Sequence, residues 1–317
     1  MNPSSHSGRS GRAFKKIFEL LDNSGVNYQY RITESIEDAY NSSVEANKSY
    51  YNAIIAVGGD GTINAVLSGF YEASGKRISK AKFGVIYTGT SPDFCKSYNI
   101  PTDLSRAIEV IITEHSEKIL IGKVTLSLQN DRNFHRKSIR DNPRAITRFF
   151  GCCANIGLGA SLARKANNGI RRYLGDFAGT FLALASILQT FKPSDQELII
   201  DRKMVTVPGL YNISIGRTRY IASGIKVEHN LGGSDRRFYY LSVKNLRIAN
   251  IPSLLRKVYS GKPIKNTRYL ELGYCREIEF PGNYNNPEVE FDGDPAGFLP
   301  CRIEIAEDPV DLLTIKV

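Results

Sequence analysis

Apolar positions in the first third of the chain alternate between helical spacing and short continuous runs. Phe14, Ile17, Phe18 and Leu21 recur at intervals of three and four, which predicts a helix that ends at Gly25. Apolar runs at 53–57 and 83–87 predict buried strands, and one-sided patterns at 62–73 and 103–113 predict helices. The alternation predicts an α/β domain with parallel strands covered by helices.

The pattern changes after about Ile119, where strand-like runs follow one another and predict an antiparallel β domain. These runs are ILIGKVTLSL, RFFGCCANIG, YNISIG, FYYLSV, YCREIEF and EVEFDG. Two segments interrupt them. The apolar stretch at about 176–191 predicts a helix, and the polar, basic stretch at 129–148 predicts a mobile hairpin loop.

Composition limits the function classes without choosing among them. The chain has 317 residues and a formal net charge of +10, which suits nucleotides, anionic lipid surfaces or nucleic acid. Aromatic residues do not interleave with the basic runs, which disfavours nucleic acid. Five cysteines without a CxxC spacing predict reduced thiols in a cytoplasmic protein. The apolar stretch 177–191 is shorter than the ~20 residues of a membrane-spanning helix, so we expect membrane contact without crossing.

The segment VGGDGT, residues 57–62, lies between a predicted strand and a predicted helix. Glycines let backbone N–H groups approach an anion closely, and a helix N-terminus adds partial positive charge. Asp60 can hold a cation, position a nucleophile or take its proton, and Thr62 can cap the helix or contact a phosphate. A tight turn without a ligand stays open, since GGxG is common. The spacing fits neither a Walker loop nor a dinucleotide fingerprint.

A second segment of this kind follows the strand at 83–87. Ser91 suits a helix N-cap, Pro92 the first helical position and Asp93 the first turn. This places a second helix N-terminus at the carboxyl edge of the same sheet, where open α/β sheets bind ligands. A simple capped turn explains the same residues equally well. Two such loops on successive strands nevertheless favour a shared ligand site.

These motifs resemble the catalytic domain of the diacylglycerol kinase family, which includes sphingosine kinases and bacterial lipid kinases. The resemblance covers nearly the whole chain. It rests on NPSSHSG at 2–8, GGDGT at 58–62, GTSPDF at 89–94 with NIP at 99–101, and DGD at 292–294. GGDGT alone is also similar to NAD kinases, but GTSPDF is similar to the lipid kinases.

The resemblance implies a parallel sheet with helices on both faces, followed by a C-terminal antiparallel β-sandwich domain. Residues 1–121 would form the nucleotide-binding domain, to which 305–317 return, and 122–304 the lipid-substrate domain. ATP and Mg²⁺ would lie in the cleft between them. The implied phosphate and nucleotide contacts are Asn2, Ser4, Gly58, Gly59, Gly61, Thr62 and Thr90. The implied catalytic residues are Asp60, Asp292 and Asp294, with Asp60 and Asp292 on the ATP-bound Mg²⁺. From the residues alone, FDGD equally predicts a hairpin turn.

The chain also departs from the family pattern. Ser91 and Pro92 replace a glycine and an asparagine, Ala65 stands where a glutamate is frequent, and Asp294 replaces the glutamate of DGE. The segment 228–238, EHNLGGSDRRF, matches an acidic motif that holds a structural Mg²⁺ in some members. It keeps only Glu228 and Asp235 as acids, which disfavours a metal there. In the family a buried strand precedes the NPxSG loop, and we expect such a strand upstream of Met1.

Three hypotheses of function follow. The first is an ATP-dependent lipid kinase that acts on a hydroxyl of diacylglycerol or a sphingoid-type lipid. It would contact an anionic membrane surface transiently through Arg164, Lys165, Arg171 and Arg172, although a solvated loop explains that cluster equally well. The second is a catalytically weak or inactive relative that binds lipid or nucleotide. The third is a kinase for a soluble substrate, analogous to NAD kinase. The sequence determines neither the lipid nor the oligomeric state.

Overall fold

The computed structural model of the chain describes residues 1, 10–127, 139, 145–157, 193–221, 225–258, 260, 262, 264, 266–281, 288–291 and 294–316. Contacts divide the chain into two units. The α/β unit comprises Met1–Ile121, Phe149–Gly151 and Ala306–Val317. The β unit comprises Gly122–Arg148 and Cys152–Ile305.

The described helices are α1 (Ser10–Ser24), α2 (Ile36–Lys48), α3 (Asp60–Ser68), α4 (Asp93–Ser97), α5 (Leu104–Thr113) and α6 (Ile251–Val258). The described strands are β1 (Ala53–Gly58), β2 (Lys82–Tyr87), β3 (Ser116–Ile119), β4 (Gly122–Ser127), β5 (Ala145–Phe150), β6 (Cys153–Gly157), β7 (Ser194–Ile200), β8 (Lys203–Gly216), β9 (Tyr220–Ile221), β10 (Ile225–Lys226), β11 (Phe238–Lys244), β12 (Leu270–Cys275), β13 (Glu277–Phe280), β14 (Glu288–Phe291), β15 (Asp294–Ile305) and β16 (Val310–Leu313).

The sheet of the α/β unit has the strand order β1-β2-β16-β3. β1, β2 and β16 run parallel, and β3 pairs antiparallel to β16 at the edge. The C-terminal strand β16 therefore lies inside this sheet, where Leu312 pairs with Phe83. The parallel sheet predicted from the alternating pattern is confirmed, with β3 as an antiparallel addition.

Helices cover both faces of this sheet, as predicted. On one face Val57 and Ile86 pack with Phe14 and Ile17 of α1 and with Ala107 and Ile108 of α5. On the other face the ring of Phe83 contacts those of Phe70, 5.3 Å away, and Phe94, 6.2 Å away. The two faces follow from the strand period, because residues 83 and 86 point to opposite sides of β2.

Helix α2 has no counterpart in the sequence analysis because the residues it buries are small or polar. They are Ala39, Ser43 and Asn47. Ser43 Oγ donates to the carbonyl of Val66 at 2.7 Å, and Asn47 Nδ2 donates to the carbonyl of Gly69 at 3.1 Å. A Cβ on Gly69 would lie 2.5 Å from the side chain of Ser43. α2 therefore packs against α3 through hydrogen bonds, which leave no apolar period to detect.

A cavity of about 550 Å³ lies beside β1 in the α/β unit. Residues 26–31 and 52–55 are among those that line it. At one end the Met1 amine donates to the carbonyl of Arg31, and the N–H of Thr33 donates to the carbonyl of Met1, both at 2.8 Å. This is the hydrogen-bond pattern of a parallel bridge centred on Ile32. Burial lowers the pKa of the Met1 amine. The strand expected upstream of Met1 stays a prediction.

Within the described residues, the strands of the β unit form a separate β9–β10 pair and a ten-stranded sheet, in which β7 pairs with both β13 and β8. Its pairings from β12 to β7 are antiparallel, which confirms the predicted antiparallel β domain. The expected helix at 176–191 lies outside the described residues. So do most of the expected loop at 129–148 and the basic cluster at 164–172. Residues 145–148 of that loop form the start of β5, so the loop prediction was wrong there.

All five cysteines are buried, and the structure has them as thiols rather than disulfides. Among the described residues, the helices are too short or too polar to cross a membrane.

Candidate active site

The glycine-rich segment is a tight junction between β1 and α3. Gly58 ends the strand, Gly59 is the N-cap in an extended conformation, and Asp60 begins the helix. The first helical hydrogen bond joins the N–H of Ile63 to the carbonyl of Gly59 at 3.0 Å. The helix predicted for 62–73 thus spans Asp60–Ser68 instead. A carboxylate in the first turn favours the earlier start, because its negative charge interacts favourably with the positive N-terminal end of the helix dipole.

Gly58 and Thr62 are buried against each other. Thr62 is 3% exposed, and it lies in the first turn, so it is not the helix cap. A Cβ on Gly58 would lie 2.5 Å from Cβ and Oγ1 of Thr62. The glycine at 58 therefore makes room for the threonine side chain, which helps to hold the junction closed.

The second segment follows β2 and leads into the single-turn helix α4. Pro92 is the N-cap, and Asp93 begins the helix, so the predicted cap at Ser91 was wrong by one residue. Pro92 carries a ψ of 50°, outside the helical region. The predicted place of Asp93 in the first turn is confirmed. Thr90, the predicted nucleotide contact, is exposed between the two elements.

The two glycine segments touch backbone to backbone. A Cβ on Gly89 would lie 2.8 Å from Cα of Gly59, and a Cβ on Gly59 would lie 3.4 Å from Cα of Gly89. The N–H of Thr88 donates to the carbonyl of Gly58 at 2.9 Å, which extends the β1–β2 ladder beyond the strands. Parallel strands end at the same edge of a sheet, and here their two loops form one continuous backbone surface.

Tyr87 stands directly beneath this contact and was missed by the sequence analysis. Its hydroxyl donates to Oδ2 of Asp60 at 3.2 Å and accepts from the N–H of Ser91 at 2.7 Å. Burial, then the charge of Asp60, raises the pKa of Tyr87 far above its usual value. The same two causes raise the pKa of Cys95. As the last residue of an apolar strand, Tyr87 resembled ordinary core.

The comparisons with known proteins agree with this geometry. Residues 1–124 match the model of the diacylglycerol kinase catalytic domain. A diacylglycerol kinase of Staphylococcus epidermidis is 24% identical over 99% of this chain and 90% of its own length. One from Staphylococcus aureus is 25% identical over 98% and 90%, respectively. A putative diacylglycerol kinase of Bacillus anthracis superposes with a TM-score of 0.70, covering 99% of this chain and 95% of its own at 19% identity. That structure supports the fold.

The chain is similar to bacterial diacylglycerol kinases over almost its whole length, and its first 124 residues match the catalytic domain of that family. It is a kinase, a phosphotransferase with an alcohol acceptor. The resemblance stated from its motifs is thereby confirmed.

One departure of this kinase from the family pattern is explained by burial. Ala65 is 7% exposed on α3, so a glutamate there would place a charge in the core. Its neighbour Asn64 accepts a hydrogen bond from the N–H of Gly151 at 3.1 Å. On the next turn, Ser68 exchanges hydrogen bonds with the backbone of Phe149. This flank of α3 therefore anchors the 149–151 segment of the α/β unit.

The acidic C-terminal motif is only partly described. Asn2, Ser4 and Asp292 lie outside the described residues, as does the side chain of Asp294. The flanking strands β14 and β15 pair antiparallel with Phe291 opposite Asp294, in keeping with the hairpin that the Asp-Gly pair predicted.

A buried polar row precedes this motif and was missed in the sequence. Glu290 is 3% exposed and accepts a hydrogen bond from Nδ2 of Asn155. Asn155 Oδ1 accepts from Ser214, which accepts in turn from Asn212 at 3.2 Å. The only signal in the sequence was the alternation of Glu288 and Glu290 with apolar residues. Such alternation usually indicates that the polar side chains of a strand face solvent.

The segment 228–237 does not fit a structural metal ion. The two acids that remain are already paired, Glu228 with Lys226 and Asp235 with Arg237. These partners lower the pKa of both carboxyls. Within the described part of the chain, there is also no group of three or more His, Cys, Asp or Glu side chains that can hold a metal.

The guanidinium of Arg217 contacts three backbone carbonyls of this segment. It donates to the backbone carbonyls of Asp235 and Arg237, and to that of Gly232 at 3.1 Å. Carbonyl oxygens are ligands for hard cations, but here they face an arginine. The guanidinium of Arg217 thus supplies the positive charge beside these carbonyls.

Proposed function

We propose that this kinase transfers the terminal phosphoryl group of ATP to a free hydroxyl of a lipid, such as diacylglycerol or a sphingoid-type lipid. The observation that supports this is the backbone contact of Gly59 with Gly89, beside the N-terminus of α3. It lies at the carboxyl edge of parallel strands, where open α/β sheets bind ligands. Relatives near 24% identity over almost the whole chain are diacylglycerol kinases.

The α/β unit supplies the groups that bind phosphate. The first N–H groups of an α-helix have no acceptor inside the helix, and they point toward an anion placed before it. We assign Gly59, Gly61 and Thr90 to the phosphates because they border the loop junction and keep contact with solvent. Gly58 and Thr62, which are buried against each other, support the junction. Asn2 and Ser4 remain proposed contacts from the resemblance.

Asp60 is the proposed carboxylate for metal and proton. It begins α3 beside the glycines, and a carboxylate oxygen is the ligand type that Mg²⁺ prefers. Mg²⁺ would neutralise the phosphate charge during transfer. The lipid oxygen bonds to the terminal phosphorus, the bond to the bridging oxygen of ADP breaks, and the hydroxyl proton passes to a carboxylate. We propose Asp60, Asp292 and Asp294 as the carboxylates that bind the metal and accept the proton. Asp292 would be the second ligand of Mg²⁺, beside Asp60.

The proposal also includes the membrane surface that holds the acceptor lipid. A net charge of +10 favours transient contact with an anionic membrane surface, from which a lipid hydroxyl would be taken.

Transfer of labelled phosphate tests the proposal. The purified 317-residue protein would be incubated with γ-labelled ATP, Mg²⁺ and anionic phosphatidylglycerol vesicles that contain either dioleoylglycerol or sphingosine. We expect label in the added lipid. Asp60→Asn should reduce transfer at least about a thousandfold, because it removes a charge that contacts the reacting groups.

Asp103→Asn is the matched control. Asp103 caps α5 by accepting from the N–H of Arg106 at 3.0 Å, a role that asparagine also fills. Its activity should equal that of the wild type. Label in neither lipid would contradict the lipid acceptor, and full activity of Asp60→Asn would contradict the assigned chemistry.

A further inference from the structure

The Tyr87 hydroxyl joins the two glycine segments through one chain of hydrogen bonds. The N–H of Ser91 can only donate, so the tyrosine oxygen accepts from it at 2.7 Å. The phenolic proton is then directed to Oδ2 of Asp60, 3.2 Å away. The donor and the acceptor of each of these two hydrogen bonds are therefore fixed. Donation into a carboxylate makes the last bond charge-assisted.

We propose that Tyr87 is a positioning residue of the phosphotransfer site, which ties the carboxylate of Asp60 to the backbone of the second glycine segment. The inference rests on the proposed function of Asp60. Tyr87 itself is not assigned contact with the phosphates or the lipid, because it is 7% exposed and lies beneath the loop surface.

The surrounding glycines are arranged around this side chain. A Cβ on Gly89 would lie 2.7 Å from the Tyr87 hydroxyl as well as 2.8 Å from Cα of Gly59. The absence of a side chain at 89 therefore serves two purposes: it lets the loops touch, and it leaves room for the phenol below them. The tyrosine ring is held in turn by β2, whose end it forms.

The hydrogen bond to Ser91 is placed where the second segment needs support. Ser91 precedes Pro92, which has no N–H and is the N-cap of a helix of a single turn. Such a short helix adds little stability of its own. The Tyr87 hydroxyl, at the end of the strand below, accepts a hydrogen bond from the N–H of Ser91 and therefore fixes the loop that carries the exposed Thr90. One side chain sets the positions of Asp60 and this loop together.

Tyr87→Phe tests the inference, with Tyr71→Phe as its matched control. Tyr71 is also buried in the α/β unit and donates to a backbone carbonyl, that of Asp308, at 3.2 Å. Each variant keeps the ring. Tyr71→Phe loses one hydrogen bond and Tyr87→Phe loses two, so both should unfold at slightly lower temperatures. Only Tyr87→Phe should lower kcat, about ten- to a hundredfold, while the KM for dioleoylglycerol stays within about twofold.

Hydrogen–deuterium exchange gives a readout that does not require activity. In Tyr87→Phe, peptides that contain Ser91 should exchange faster, whereas peptides from α2 should match the wild type. Unchanged exchange at Ser91, or equal kcat losses in the two tyrosine variants, would overturn the inference. The two proposals fail separately: an active Asp60→Asn variant rejects the role of Asp60, whereas an inactive one beside a fully active Tyr87→Phe variant rejects only the role of Tyr87.

Discussion

Gly59 and Gly89 stand backbone against backbone, so close that a methyl group on Gly89 would lie 2.8 Å from the Cα of Gly59. They lie 30 positions apart in the sequence and follow the ends of two neighbouring parallel strands. The contact turns two ordinary strand–helix junctions into one surface of main-chain groups. That surface is the physical basis for assigning phosphoryl transfer to this edge of the sheet.

Gly89→Ala should damage this surface. The new methyl group would collide with Gly59 and with the Tyr87 hydroxyl, at a cost of about 1–3 kcal/mol in the free energy of unfolding. Nucleotide affinity should fall as well, because the two loops must separate. Thermal unfolding and ATP titration measure the two effects. Gly233→Ala is the control, since a Cβ there meets nothing within 4 Å. Equal unfolding temperatures of both variants would refute the close contact.

Arg217→Ala should destabilise the β unit, because it leaves the carbonyls of Gly232, Asp235 and Arg237 without their guanidinium donor. We expect a loss of about 1–2 kcal/mol, seen as a lower unfolding temperature. The exposed neighbouring Arg219→Ala should have little effect.

The contacts of Arg217 with this segment also predict how the unfolding temperature responds to the removal or addition of metal. Without nucleotide, EDTA or added Mg²⁺ should leave the unfolding temperature of the wild type unchanged, because Arg217 already provides the cation. A marked decrease with EDTA would show that a structural metal is present after all.

The buried thiols should resist alkylation in the native protein. Burial is the main cause that raises the pKa of Cys95 and Cys301, and that of Cys275 to about 12. A raised pKa means that the reactive thiolate is scarce at pH 8 and becomes abundant only as the pH passes that value. Iodoacetamide at pH 8 should therefore label these thiols slowly in the native state. In guanidinium all 5 cysteines should react. Rapid native labelling of Cys275 would contradict its burial.

Much of this architecture is encoded locally. The strand runs at 53–57 and 83–87, the α5 pattern and the C-terminal antiparallel strands were all predicted from periodicity, because buried elements repeat their apolar residues at the period of their own geometry. The GGDGT and GTSPDF motifs led to the family because loops of this kind need glycine at particular points. Helix α2 escaped notice, since Ser43 and Asn47 bury themselves through hydrogen bonds.

The sequence by itself determined the element types, the family and the edge of the sheet where the chemistry is proposed. Only the tertiary structure decided that Gly59 touches Gly89, that Tyr87 links Asp60 to Ser91, and that Arg217 takes the carbonyls of the 232–237 segment. The reason is physical: periodicity reports which side of an element is buried, whereas these contacts join residues distant in the chain. Apart from the Asp60 carboxylate, their partners are backbone atoms, which every residue carries and no sequence pattern marks.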